Sequence, residues 1–154
     1  MDTSSTRAEG TTAAQKLALA FGIAFVAAGV LGFIPGITSN YDEMKFIGHD
    51  SEAKLLGLFQ VSIFHNIVHL LFGIGILAAR RHDTASKYLL YSGIAYTALI
   101  IYGVLFGHDD GAANFVPVNS IDTWALHLPL AAGLLLSYFM TRRAAMTRER
   151  TAAT

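Results

Sequence analysis

The chain contains no cysteine among its 154 residues, which excludes disulfide bonds, thiolate nucleophiles and zinc sites built on thiolates. Charged residues are also scarce, at 14% of the chain, whereas a soluble domain carries about a quarter. The sequence has no G-x-S-x-G element, P-loop or dinucleotide-binding glycine motif, so it gives no support to the enzyme chemistry of soluble proteins. We therefore predict no enzymatic activity, no catalytic residues and no nucleic-acid partner.

Four long apolar runs fill most of the chain, and the charged residues cluster between them. A helix needs about 20 residues to cross a hydrocarbon core ~30 Å thick, and each run has about that length. The sequence therefore predicts an all-α membrane protein whose four transmembrane helices form an up-down bundle. We expect the helices over about residues 17–36, 57–79, 87–107 and 122–141, within a transmembrane domain of residues 16–141.

Basic residues are distributed unequally between the two sides of this predicted bundle. Nine of the eleven Lys and Arg residues fall in the tails or in the link between the second and third runs: Arg7, Lys16, Arg80, Arg81, Lys87, Arg142, Arg143, Arg148 and Arg150. Because loops rich in Lys and Arg stay in the cytoplasm, both termini are predicted to be cytoplasmic. We expect residues 1–15 to be a disordered cytoplasmic tail and residues 142–154 to be a basic cytoplasmic tail.

The two halves of the chain contain similar short segments. Residues 29–33 are similar to residues 103–107, and the pair His69-Leu70 is similar to His127-Leu128. One interpretation is a pair of repeated helical hairpins related by a pseudo-twofold axis along the membrane normal. Chance similarity between helices rich in Gly and Leu is the alternative, and the sequence leaves both open.

Small residues recur at every fourth position of the first and fourth predicted helices. On the first helix they are Ala20, Ala24, Ala28, Gly32 and Gly36, and on the fourth they are Ala125, Pro129, Gly133 and Ser137. Such ridges let helices approach closely in lipid, where hydrophobic burial no longer drives helix association. We predict helix contacts along these ridges, with a homodimer or a membrane-protein complex as the wider assembly in the lipid bilayer.

The pentapeptide His-Asn-Ile-Val-His places three polar side chains in the middle of the second apolar run. On a helix they share one face with two small residues, so that the face comprises Ser62, His65, Asn66, His69 and Gly73. Polar side chains face hydrocarbon only at a high cost, so this face should point into the bundle. His127 on the fourth helix and Tyr96 on the third helix are its predicted neighbours.

Three interpretations of this polar face are open. The first is a hydrogen-bonded network of His65, Asn66, His69 and His127 near the outer half of the bundle, which would specify helix packing. The second is a ligand site with a redox or sensing role. In it, His65 and His69 hold a divalent metal ion with His127 or an outer-loop acid as the third ligand, or a histidine from each half binds haem b. The third is a proton or ion path. We predict the first, in a non-enzymatic structural or interaction component without a cofactor.

The start of the fourth helix has its own polar residues. Asp122 or Ser120 is expected to N-cap this helix, and Trp124 is expected to mark the outer membrane boundary. Asp122 and His127 are five residues apart, a spacing that places them on different faces of a regular α-helix. Pro129 removes one backbone hydrogen bond and should kink the helix near His127.

Three strings carry a resemblance to a known family: GFIPGITSNYD, GHDSEAKLLGLFQVSIFHNIVHLLFGIGILA and ANFVPVNSIDTWALHL. On these strings, about residues 17–140 resemble the bacterial domain-of-unknown-function family numbered 4383, a family of small four-helix integral membrane proteins. The resemblance implies that the family motif falls on His65, Asn66, His69, Gly73, Asn119, Asp122, Trp124 and His127. It also implies that this chain has one extra residue between Asp122 and His127, which would rotate the two side chains apart. The family has no established activity, so the resemblance implies an architecture and leaves the function open.

Overall fold

The computed structural model describes residues 11–48, 50–106 and 120–153, and most of them are helical. The α-helices are α1 (Ala13–Leu31), α2 (Ile63–Phe72), α3 (Gly75–Ala78), α4 (His82–Phe106) and α5 (Leu128–Ala152). A π-helix over Asp122–His127 leads directly into α5. Three two-residue strands lie between α1 and α2, namely β1 (Thr38–Ser39), β2 (Lys54–Leu55) and β3 (Phe59–Gln60), together with a 3₁₀ turn at Tyr41–Glu43.

Three helical stretches in the described part of the chain are long and apolar enough to cross a membrane. They are Ala13–Leu31, His82–Phe106 and Asp122–Ala152, while the apolar stretch Ile63–Ala78 is shorter. These are the helices of an all-α membrane protein, as the sequence predicted. The up-down arrangement of four crossings and the repeated hairpins stay predictions.

The predicted helix over residues 57–79 starts later in the structure and is divided in two. Residues 54–60 form a β-hairpin, because Leu56 and Gly57 adopt positive φ angles of 55° and 73° in its tight turn. Helix α2 therefore begins at Ile63, after Ser62, whose hydroxyl accepts a hydrogen bond from the His65 N–H at 3.1 Å. The sequence argument missed the hairpin because its strands are short and lie at the edge of an apolar run.

The ends of the other helices also differ from the predicted limits. Thr12 and Gln15 form a capping box that starts α1 at Ala13, so residues 13–15 are helical rather than part of a disordered tail. Residues 1–10 lie outside the described part of the chain. The last helix runs through the basic segment to Ala152, so residues 142–152 are helical as well. Asp122 lies within its helix, because Ser120 and Ile121 are already helical, and so Asp122 is not the predicted N-cap.

Helix α1 packs against α2, α3 and α4, and α4 packs against α5 and the π-helix. The main core lies along these contacts and consists of Ala14, Ala18, Phe25, Ala85, Tyr88, Leu89, Tyr96, Ala131 and Leu134. A smaller core under the strands consists of Ala53, Leu55 and Val61, packed against Ala28 and Leu31 of α1.

The buried face of α1 is not the ridge that the sequence predicted. Its buried residues are Ala14, Ala18, Gly22, Phe25 and Gly29, whereas Ala20, Ala24 and Gly36 are exposed. The actual face follows spacings of three and four residues, which keep it turned toward a crossing helix, whereas a strict spacing of four drifts around the helix. Gly32 is the one member of the predicted α1 ridge that is buried.

The segment between α1 and α2 folds onto the helix ends. Its three strands form an antiparallel sheet in the order β1-β2-β3. The Thr38 hydroxyl donates to the carbonyls of Leu31 and Gly32 at the end of α1, both at 3.2 Å. The first N–H groups of α2 donate to the carbonyls of Lys45 and Phe46. This segment therefore satisfies backbone groups that helix ends leave without partners.

Substitution of Gly22 by alanine should separate α1 from α3. The new Cβ atom would lie 2.5 Å from the backbone nitrogen of Ile76 and 2.9 Å from the carbonyl carbon of Gly75, so a helix must move. We expect Gly22→Ala to destabilise the protein by about 1–3 kcal/mol, measured by thermal unfolding in detergent.

The matched control is Gly133→Ala on α5, where the nearest atom to the new Cβ is the side-chain carbon Cζ of Phe21 at 3.3 Å. Alanine is the better helix former by about 1 kcal/mol, so this variant should be as stable as the wild type or more stable. Equal destabilisation by the two substitutions would contradict the α1–α3 packing.

Candidate functional site

Helix α2 carries the polar side chains that the sequence singled out. His65, Asn66 and His69 are 5%, 0% and 4% exposed, while Ile67 and Leu71 on the opposite face are exposed. The hydrogen bond from the His65 N–H to Ser62 fixes the start of the helix, and the spacing of four residues then brings His65 and His69 together. The helix thus turns its polar face inward and its aliphatic face outward.

His65 and His69 are joined by a direct hydrogen bond. Their Nε2 atoms are 3.2 Å apart, and the two rings meet edge to face with centroids 4.6 Å apart. One ring must donate and the other accept, so in a neutral pair one imidazole carries its proton on Nε2 and the other on Nδ1. The pair therefore consists of two different tautomers.

The π-helix brings His127 to this pair. His127 is 1% exposed, and its ring centroid lies 6.1 Å from that of His65 and 5.5 Å from that of Tyr96. Neither ring nitrogen of His127 has a hydrogen-bond partner among the described residues. The structure therefore brings three imidazoles from two separate helices into one buried cluster, which we call the histidine cluster (His65, His69 and His127).

The relation between Asp122 and His127 differs from the prediction. In the π-helix the Leu128 N–H donates to the Thr123 carbonyl, a bond that spans five residues instead of four. Residues five apart then share a face, and both Asp122 and His127 are buried. The expectation that this spacing would rotate the two side chains apart was wrong, because the wider turn accommodates it. Pro129 follows this wide turn, in the first turn of α5, and the kink expected from it stays a prediction.

Asp122 ties the hairpin to the last helix. It is fully buried, and its Oδ2 atom accepts a hydrogen bond from the Gln60 backbone N–H at 3.2 Å. The Gln60 side chain in turn donates to the Ser51 carbonyl at 2.8 Å. Asp122 therefore connects the sheet to the helix that carries His127.

Asn66 does not join the histidines. Its amide nitrogen makes a long contact of 3.9 Å to Met44 Sδ, and its Oδ1 atom has no hydrogen-bond partner among the described residues. The amide lies against Gly32, the C-cap of α1, where a Cβ atom would collide with it. The predicted four-residue network is therefore two separate features, the histidine cluster and the contact of Asn66 with α1.

The other residues that the sequence singled out do not all lie at the histidine cluster. Ser62 is the N-cap of α2, and Gly73 is its C-cap, which packs against Val26 of α1. Tyr96 is 1% exposed beside His127, whereas Trp124 is 58% exposed and turns away from the cluster. Asn119 lies outside the described residues.

Three aromatic residues form a layer next to the histidine cluster. The ring centroids of Phe25, Phe72 and Tyr96 are 5.2–5.3 Å apart in pairs, and Phe25 meets His69 edge to face at 5.9 Å. Sequence reasoning missed Phe25 and Phe72. The available signal was the position of Phe25 within the spacing Ala18, Gly22, Phe25, Gly29, which marks one face of α1.

Two cavities adjoin the histidine cluster. The smaller has a volume of about 80 Å³ and lies between His65, His69, His127 and Tyr96. The larger, of about 270 Å³, lies on the other side of His65 and His69 against α1 and the hairpin. Among the described residues, no group of three His, Asp or Glu side chains is arranged to hold a metal ion. The cluster can donate and accept hydrogen bonds, and the haem and metal interpretations stay alternatives to the prediction of a cluster without a cofactor.

The apolar helices and the buried histidines together define a helical membrane protein with a polar cluster in its interior. Comparison with known families then gives a specific assignment. The family model described as "Domain of unknown function (DUF4383)" matches residues 15–140, and the chain belongs to this family. No curated protein and no solved structure matches the chain.

Removal of the Asp122 carboxylate should loosen the hairpin. Asp122→Ala leaves the Gln60 N–H without its acceptor, so we expect a loss of about 1–3 kcal/mol in thermal unfolding and faster proteolysis at residues 54–60. Asp42→Ala, at an exposed position of the same segment, is the control and should change stability by less than about 0.5 kcal/mol. An Asp122→Ala variant as stable and protease-resistant as the control would show that this bond does not hold the hairpin.

Proposed function

We propose that this protein is a non-enzymatic structural or interaction component of the bacterial inner membrane. In this proposal it is a four-helix, up-down bundle with both termini in the cytoplasm, and the histidine cluster joins its second and fourth crossings. The observation that carries the proposal is the burial of three imidazoles from two separate helices at one point, against each other and an aromatic layer.

The positions of the helix ends support the up-down arrangement. The start of α1 meets the end of α3 and the start of α4, since Gln15 Nε2 donates to the Ala79 carbonyl at 3.0 Å and Thr12 Oγ1 lies 3.1 Å from His82 Nδ1. Far from that end, the bond between Gln60 and Asp122 joins the hairpin to the start of the last helix. These contacts support a proposed bundle in which α1 and α4 start at one end, and the segment of α2 and α3 and the last helix start at the other.

The hairpin is proposed to complete the second crossing. Helices α2 and α3 together rise about 24 Å, less than the ~30 Å of a hydrocarbon core. The hairpin extends this segment, and its turn presents Leu56 and Leu58, which are 62% and 50% exposed. Apolar side chains at that position suit the boundary of the bilayer, and the backbone of the hairpin is paired in a sheet.

The role we assign to the histidine cluster is to specify which helix faces meet. Interhelical hydrogen bonds in membranes average ~0.6 kcal/mol, too little to drive assembly, but unpaired imidazoles in lipid would disfavour every other packing. The cavity of about 80 Å³ beside His127 can hold about two water molecules, which would bridge the ring nitrogens of the cluster. A homodimer or a complex with another membrane protein would use the exposed apolar helix faces.

The topology can be tested with single cysteines, because the natural chain contains none. We expect Glu52→Cys to react with a membrane-impermeant maleimide in intact cells, and Ala152→Cys to react only after the membrane is permeabilised. Both positions are exposed, so accessibility to the reagent depends on the side of the membrane alone. Labelling of Ala152→Cys in intact cells would overturn the cytoplasmic assignment of the C-terminus.

The structural role of the cluster predicts a loss of stability when an imidazole is removed. His65→Ala leaves His69 Nε2 without its partner and opens space beside His127, so thermal unfolding should show a loss of about 1–3 kcal/mol. His82→Ala, a part-exposed histidine at the other end of the bundle, should have a smaller effect.

The same samples separate the competing interpretations of the cluster. Metal analysis and the absorption spectrum of the purified wild type should show neither a stoichiometric metal nor a haem band. A bound metal or haem that is lost in His65→Ala would replace the structural proposal with the ligand-site interpretation. Proton or ion flux into proteoliposomes that depends on His65 would support the third interpretation.

A further inference from the structure

The larger cavity is almost entirely apolar. It lies between Ala24 and Ala28 of α1, Leu55 and Val61 of the hairpin region, and Leu126 and Leu130 of the last helix. Phe25 and Phe59 add aromatic surface, and no Asp, Glu, Lys or Arg lines it. An occupant must therefore be uncharged and mostly apolar, because the walls offer no partner for a charge.

The cavity is large enough for a small ring compound, and it is a cleft open on one side, not an enclosed void. A cavity of roughly 150 Å³ lined by apolar side chains binds benzene. The cavity here measures about 270 Å³, nearly twice that size, so it can accept a bicyclic ring with a small substituent.

Two histidines, His65 and His69, are the polar residues on the wall of this cavity. His69 lies on its wall and is 4% exposed, and the Nε2 atom of His69 is engaged with His65. Its other nitrogen, Nδ1, is buried and has no hydrogen-bond partner among the described residues. Depending on the tautomer, Nδ1 can donate to a carbonyl oxygen or accept from a hydroxyl group.

The cavity opens sideways, at a position that faces lipid in the proposed topology. Ala24, Ala27 and Leu56 line the cavity and are exposed. Ala24 and Ala27 belong to α1, a helix that is long and apolar enough to span a membrane. The methyl side chains of these alanines leave the opening wide, so a lipid-soluble molecule could enter from the bilayer.

We propose that this cavity is a binding site for an uncharged lipophilic ring compound that carries a carbonyl or hydroxyl oxygen, such as a quinone or a phenol. The ring occupies the apolar space between α1 and the last helix, and the oxygen pairs with Nδ1 of His69. This site is separate from the packing role of the histidine cluster, although its lipid-facing entrance rests on the proposed topology.

The test measures binding of two probes to the full chain in phosphatidylcholine nanodiscs, by equilibrium dialysis against empty nanodiscs. The probes are 2-methyl-1,4-naphthoquinone and 2-methylnaphthalene, which share a ring system and differ in their carbonyl oxygens. We expect saturable binding of one quinone per chain above the level in empty nanodiscs. The hydrocarbon should bind about fivefold more weakly, because it lacks a hydrogen bond worth ~1 kcal/mol.

Two alanine variants form a matched pair for this test. Ala24→Leu fills the mouth of the cavity and should weaken quinone binding by more than tenfold, without a change in thermal stability. Ala20→Leu, one turn earlier on α1, is also exposed but does not line the cavity, and it should bind as the wild type does. His69→Phe keeps a ring at this position and should abolish the preference for the quinone over the hydrocarbon.

Three results would overturn the proposal. They are no saturable binding above empty nanodiscs, unchanged binding in Ala24→Leu, and equal affinity of the wild type for the two probes. The last result would mean that the cavity accepts any apolar chain, such as the acyl tail of a membrane lipid. Wild-type protein that binds no quinone, while His65→Ala still lowers thermal stability, would overturn the ligand proposal and leave the structural role of the histidine cluster intact.

Discussion

Hydrocarbon offers no hydrogen bonds, and this constraint governs the arrangement of the whole protein. His65 and His69 lie in an apolar segment, so protein must surround them if the segment enters a membrane. The two rings satisfy one nitrogen each by bonding to each other at 3.2 Å. The rest of the fold shields them, with α1 and its Phe25 on one side and Tyr96 and His127 on the other. The same helix packing that holds the fold together therefore also buries the imidazoles.

Close approach of the helices makes that burial possible, and small residues make the approach possible. Gly22 and Gly75 let α1 and α3 meet backbone to backbone, and Gly32 leaves room for the Asn66 amide. A single methyl group at any of these points would collide with a neighbouring atom. Elsewhere on α1, Ala24 and Ala28 do the opposite, since their small side chains leave a cavity instead of a contact. Small residues on α1 therefore allow close helix contact where another backbone or side chain lies opposite, and they line a cavity where no atom fills the space.

The site also depends on the π-helix over Asp122–His127. A turn that bonds across five residues lets both Asp122 and His127 face inward, where one holds the hairpin and the other meets His65. Such turns are uncommon and occur frequently at functional sites. Here the turn carries both the residue that bonds to the segment between α1 and α2 and the residue that joins the histidine cluster.

The helical membrane class and the inward face of α2 could be read from composition, run length and the spacing of His65 and His69, because these depend on local periodicity. The family could be recognised only by the resemblance of three strings in the sequence to that family. The β-hairpin, the buried face of α1, the aromatic layer and the shared face of Asp122 and His127 could not. Each depends on which atoms lie opposite in space, and the linear order of residues does not contain that information. Backbone geometry decided them: a tight turn at Leu56, helices in contact at Gly22, and a wide turn before α5. The cavity beside His69 arises in the same way, from three segments that are distant in the chain and adjacent only after folding.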